Sequence, residues 1–253
     1  MTMMDIPQCM LRVGSESGRN GVPASFKEAP AFPNLRVLSL PVEVHSLDSY
    51  LAVWEAVEEY PALRQLALWI RGTSERLRGG KLARFRRLIA SLDLEDLEIT
   101  VCGLQESLAA IDWPMCLRSL RVSGQEFNEG AADACCEKFA ARVRTARIVD
   151  LHVDCWHGLS ELGLQMLLTH LANSELKSLK ISWDMPPTTS NWLSLAYFLQ
   201  TATTLRELAP EWPGEDWQYC TEFLHLEALG HKLGVDVSRP GLELVQEVQV
   251  DFI

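Results

Sequence analysis

The sequence predicts an α/β fold, a right-handed α/β solenoid with a parallel concave sheet and outer helices, and three observations carry that prediction. The first is an apolar spacing, L-x-x-L-x-L, found at Leu35/Leu38/Leu40, Leu63/Leu66/Leu68, Leu94/Leu97/Ile99, Leu117/Leu120/Val122, Ile148/Leu151/Val153 and Leu176/Leu179/Ile181, with a shortened copy at Leu205/Leu208. The second is its period. First positions lie 28, 31, 23, 31, 28 and 29 residues apart, as in chains built by stacking one supersecondary unit. The third is a change of pattern inside each unit, from apolar alternation with period two to apolar spacing of three and four, which reads as a half-buried strand followed by an amphipathic helix.

Residues 1–31 do not fit the repeat, and their Gly, Ser and Asn content marks an irregular N-terminal segment or cap. The array is expected over 32–210. Its first strand holds Leu35, Leu38 and Leu40, and its first helix carries Leu47, Tyr50, Leu51, Trp54 and Val57. The second helix should hold Leu82, Phe85, Leu88, Ile89 and Leu92; the third unit, the shortest, leaves room for only a turn or two before Trp113-Pro114. Further helices are expected over 130–143, around Leu162 to Leu171, and from Asn191 through Leu199, with Pro186 and Pro187 in a turn because neither can donate to a strand ladder. Pro210 occupies the last apolar position of the seventh copy, where the repeat is expected to decay. Residues 211–253 read as a C-terminal cap: a helix over 217–232, then Val245, Val248 and Val250 in a closing strand.

The 253 residues are 47% hydrophobic and 23% charged, enough for a sizeable core. A net charge of −11 disfavours nucleic acid, whose phosphates reward basic surfaces. Seven cysteines without a CxxC, no secretory pattern and no run of eighteen apolar residues point to the cytoplasm of its own or a host cell, with no membrane contact. Two local charge excesses stand out: basic residues at Arg71, Arg76, Arg78, Lys81, Arg84, Arg86 and Arg87, and an acidic stretch after Glu207.

The recurring L-x-x-L-x-L segments and helical returns resemble the leucine-rich repeat superfamily, in particular its helix-bearing, ribonuclease-inhibitor-like class, over residues 32–210. That resemblance implies a horseshoe that recognises proteins. The family usually places Asn or Cys three residues after the last apolar position; here stand Glu43, Arg71, Cys102, Gln125, Trp156 and Asp184, so the turns after the strands should be held in another way. No F-box fits ahead of Phe32.

Stacked strands line up their outward residues in rows. The central row is Ser39, Ala67, Glu98, Arg121, His152, Lys180, Ala209. One flank runs Val37, Gln65, Asp96, Ser119, Asp150, Ser178, Glu207; the other runs Pro41, Trp69, Thr100, Ser123, Asp154, Ser182, Glu211. The expected partner site is Trp69, Asp96, Glu98, Arg121, Asp150, His152, Asp154 and Lys180, with Trp183 and Trp212 as further hot-spot candidates if exposed.

An enzyme is not expected. The sequence contains no phosphate-loop, dinucleotide, nucleophile-elbow or zincin motif, and His152, Cys155 and His157 match no familiar zinc spacing. Cys135 and Cys136 read as packing residues in mid-helix. The expectation is therefore a monomeric, cofactor-free recognition module for a protein with a basic surface, such as an inhibitor, an immunity protein or an adaptor. The alternatives are a hydrolase or transferase built on Asp150, His152 and Asp154, or an effector or subunit of a larger assembly.

Overall fold

The computed structural model describes residues 34–43, 46–71, 79–100, 111–123, 131–154, 160–183, 187–212 and 220–238. Within them, eight strands form one sheet in the order of the sequence, every neighbouring pair parallel. The strands are β1 Val37–Glu43, β2 Gln65–Arg71, β3 Asp96–Thr100, β4 Ser119–Ser123, β5 Asp150–Asp154, β6 Ser178–Ser182, β7 Glu207–Glu211 and β8 Asp236–Val237. Six helices alternate with them: α1 Leu47–Glu58, α2 Gly79–Ser91, α3 Ala131–Ala146, α4 Glu161–Leu171, α5 Thr189–Thr201 and α6 Thr221–Leu233.

The three apolar positions of each copy explain this arrangement. Leu38, Leu66, Leu97, Leu120, Leu151, Leu179, Leu208 and Val237 share one register line and are all buried. The line of Leu68, Ile99, Val122, Val153 and Ile181 is buried beside it, as are the first positions from Leu63 to Leu205. Helix residues at three- and four-residue spacing, such as Leu164, Leu167, Leu168 and Leu171 of α4, complete the same core. The ladder begins one residue before each strand: the carbonyls of Arg36, Arg64, Glu95, Arg118, Val149 and Lys177 each accept two N–H groups from the next unit.

The helices are also tied in series. Ser160 caps α4 through its hydroxyl to Gly163 N and also donates to Asp133 in the first turn of α3. Thr188, which with Asn191 forms the capping box of α5, donates to Glu161 of α4 at 2.5 Å. On the other side, Lys81 and Arg84 of α2 pair with Asp48 and Glu55 of α1. Where the third unit is short, Asp112 bridges α2 and α3 by accepting from both Arg86 and Arg142. Buried Ile111 and Trp113, the latter edge-on to Phe139, fill the space below it.

Two expectations change at the C-terminal end. Pro210 does not end the seventh strand; it is buried and pairs in register with Ile181. Glu211 O accepts from Trp183 N and Leu208 O accepts from Ser238 N, so backbone alternation turns the missing Pro210 N–H toward β8. The β6–β7 ladder is untouched, while the β7–β8 ladder stops after Leu208↔Val237. The helix after it is α6: Cys220, inside the predicted 217–232, has extended backbone at its N-cap, residues 217–219 lie outside the described residues, and Gly234 ends it in the left-handed region (φ 72°) that suits glycine. The predicted closing strand at 245–250 lies outside the described residues, as do residues 101–110 of the third unit.

Two substitutions test this packing. Gly230 lies against β8, and a Cβ there would run into the Val237 side chain and stand 2.9 Å from Val235 O. Gly230→Ala should cost about 1–3 kcal/mol and lower Tm by about 3–10 °C, with part recovered in the Gly230→Ala/Val237→Ala double variant. The Asp112 carboxyl is held below its ordinary value, first by the Arg86 hydrogen bond, with Arg142 adding to it. Its contribution is therefore present above the unfolded value and is lost as pH falls through the folded one. Because the pair is half exposed, Asp112→Asn should lower Tm by only about 1–3 °C at pH 7, with the difference closing as pH falls below the ordinary carboxylate range.

Candidate functional site

The face of the sheet turned away from the core carries the three predicted rows. Register places Glu98, Arg121, His152 and Lys180 on four successive rungs, and Asp96, Ser119, Asp150, Ser178 and Glu207 on the rungs beside them. Strand alternation gives these residues their direction: β4 and β5 bury every second residue and leave Ser119, Arg121, Ser123, Asp150, His152 and Asp154 half-buried or exposed. Trp69 falls between Pro41 and Thr100 in the third row, as read; its side chain is outside the described set.

The central row is held by long ion pairs. Arg121 lies 3.6 Å from Glu98 and 3.7 Å from Asp154. Lys180 lies 2.8 Å from Glu211, which also accepts from the Ser182 hydroxyl at 3.1 Å. His152 sits between the two cations with Nε2 3.4 Å from Ser182 Oγ. Burial pushes the imidazole down to about 4, the charges of Arg121 and Lys180 add to this, and Asp154 opposes it. The ring is neutral at neutral pH.

The first row is different in kind. Asp96 accepts from Gln65 Nε2 at 2.8 Å, and Glu207 accepts from the hydroxyls of Ser178 and Ser238. Among the described residues none of Asp96, Asp150 and Glu207 is in an ion pair. Burial, then the carboxylates of Glu207 and Asp96, raise Asp150 above its ordinary value, with Lys177 as the nearest opposing charge. β8 extends this row with a further carboxylate, Asp236, opposite Glu207.

One row escaped the sequence reading. Five of the seven residues that precede the first seven strands are cations: Arg36, Arg64, Arg118, Lys177 and Arg206. A chain that returns to start a parallel strand brings each helix C-terminus to this edge, where cations are favoured. Arg64 donates to the carbonyls of Leu63 and Asp93 and pairs with the Asp93 carboxylate; Arg206 donates to Leu205 O. The row stands at the edge that helix dipoles make favourable for cations, and the signal for it was the basic residue after the first leucine of most copies.

Other candidates resolve as packing. Trp212 meets Trp192 at 5.3 Å and Phe223 at 6.1 Å, and Trp183 packs half-buried against the core, so neither is an exposed anchor. Of the basic excess on α2, Lys81, Arg84 and Arg86 are spent on ion pairs within the chain. Cys135 and Cys136 are buried, and burial pushes the Cys136 thiol up to about 12, far from a nucleophile. Among the described residues no group of three His, Cys, Asp or Glu could hold a metal ion, and no helix is long and apolar enough to cross a membrane. Cys155 and His157 lie outside those residues. No protein-family model matches the chain, and no curated protein is similar to it.

His152 offers a direct check. Its folded value is depressed, so it contributes stability that is present above the unfolded value of 6.5 and lost as pH falls through about 4. Wild-type Tm should drop more steeply than that of His152→Gln across this window. A histidine NMR titration that finds the ring protonating near 6.5 would show that the ring is neither buried nor faced by the two cations.

Proposed function

We propose that the chain is a non-catalytic protein-recognition module, a right-handed α/β solenoid of the leucine-rich repeat kind whose sheet face receives a protein partner with a basic surface. One observation carries the reading: Asp96, Asp150 and Glu207 stand on alternate rungs of one row, about 9.6 Å apart by strand spacing, with no cation of the face holding them. The cations that the face does own, Arg121 and Lys180, are engaged by Glu98, Asp154 and Glu211. A surplus of negative charge is left on a surface that the fold holds rigid from rung to rung.

A lysine or arginine side chain of a partner laid along this row relieves repulsion that the isolated protein bears. Surfaces of this kind steer association and select partners by charge. A single sheet that exposes one continuous face is also what stacked repeats offer to proteins. The Asp150/His152/Asp154 grouping lends less to the enzyme reading: the neighbour of the imidazole is Ser182, whose hydroxyl proton goes to Glu211.

The test is a substitution that improves the fold while removing binding. Ionised Asp150 is the disfavoured form, so its contribution is favourable below the unfolded value and is lost as pH rises through the folded one. Asp96→Asn/Asp150→Asn/Glu207→Gln should therefore raise Tm at pH 7 by about 1–2 °C, a gain that shrinks toward acid. The same variant should fail to retain a partner that the wild-type protein captures stoichiometrically from native lysate at low salt. Equal retention by the variant sinks the assignment, and a copurifying activity abolished by His152→Ala overturns the non-catalytic reading.

A further inference from the structure

We infer that the notch between Arg121 and Lys180, over the imidazole of His152, seats one carboxylate of the partner protein. The inference rests on the reading of this face as a recognition surface and names the chemistry of its central contact.

Geometry carries it. Arg121, His152 and Lys180 occupy matching positions on β4, β5 and β6, so each cation's rung is about 4.8 Å from the imidazole's. The acidic neighbours on the same strand, Asp150 and Asp154, are two residues away along β5, at about 6.7 Å. The remaining charges, Glu98 on β3 and Glu211 on β7, lie beyond the cations. An anion over the ring therefore has positive charges as its nearest neighbours, inside a surround that is otherwise acidic.

The donors there are not exhausted. Both contacts of Arg121 exceed hydrogen-bond length, and its side chain is 40% exposed. An ammonium has three protons, and the ion pair of Lys180 with Glu211 uses one. Burial is the first cause of the depressed proton affinity of His152, and the positive field of Arg121 and Lys180 adds to it. A carboxylate placed over the ring reverses that field and favours the imidazolium, so its binding takes up a proton and strengthens as pH falls. A cation in the same place would do the opposite. The complementary partner surface is thus basic, with one acidic side chain at its centre.

The experiment follows His152 by NMR in the full chain, in sodium trifluoroacetate against sodium chloride at equal ionic strength. Trifluoroacetate serves as a carboxylate that stays ionised across the titration. The midpoint, about 4 in chloride, should move up by about half a unit or more in trifluoroacetate. Arg121→Gln/Lys180→Gln, with its helical and strand signal unchanged in circular dichroism, should start from a higher midpoint in chloride and not respond. Identical wild-type midpoints in the two salts overturn the proposal, as does a double variant that responds like wild type. A response to sulfate without one to trifluoroacetate overturns the carboxylate in favour of a tetrahedral oxyanion. A partner retained equally by the wild-type protein and the Asp96→Asn/Asp150→Asn/Glu207→Gln variant, with the His152 response intact, sinks the recognition reading alone.

Discussion

Everything in this structure depends on one constraint: parallel strands must pair without slipping by a residue. Side chains alternate across a strand, so a shift of one between neighbours would carry Leu120 and Val122 out of the core and bring Arg121 into it. Three stacked apolar lines oppose that shift at every rung, and the carbonyl before each strand fixes it again by accepting two N–H groups from the next unit. Once register is fixed, the outward residues have no freedom in where they stand. The rows of the exposed face are a by-product of the core.

The charges follow a second regularity. Each helix returns against the direction of the strands, so helix C-termini gather at the edge where strands start and N-termini where they end. Cations occupy the first edge, in Arg36, Arg64, Arg118, Lys177 and Arg206, and acids occupy the second, in Asp133 and Glu161 of the first helical turns and Asp154 and Glu211 of the strand ends. Helix dipoles account for both edges. They do not account for Asp96, Asp150 and Glu207, which open β3, β5 and β7 at the edge that favours cations, beside one another's field. Charge left without a cation on this face, at a small cost to the fold, is the part of the pattern that folding does not explain.

Local irregularities are absorbed without breaking the stack. Between α2 and α3, Asp112 links Arg86 to Arg142 by charge, and Ile111 and Trp113 are buried beside it. Proline in β7 is tolerated because its missing donor faces the short β8 and not β6. Gly230 then lets α6 close over β8 at a distance no side chain would permit.

By itself the sequence determined the first seven strands, their order of recurrence and the rows from Asp96 to Lys180, because leucine periodicity fixes both the element and the face, and equal spacing fixes which positions align. The last strand, β8, carries no such repeat and was not legible. Helix existence was legible for the same reason, as at Phe85/Leu88/Ile89 and Leu164/Leu167/Leu168. What only the tertiary structure decided were contacts between residues far apart in the chain. Whether Trp212 is exposed is open until Trp192 and Phe223 are seen around it, and Lys81 and Arg84 are only part of a local basic excess until α1 presents Asp48 and Glu55. The division between engaged and unengaged charges is of that kind as well. Arg121 and Asp150 are both polar residues on neighbouring strands, and only the spacing of partners across the sheet leaves one held and the other crowded. Periodicity is a property of one chain segment, whereas compensation of charge is a property of the space between segments, and that space exists only after folding.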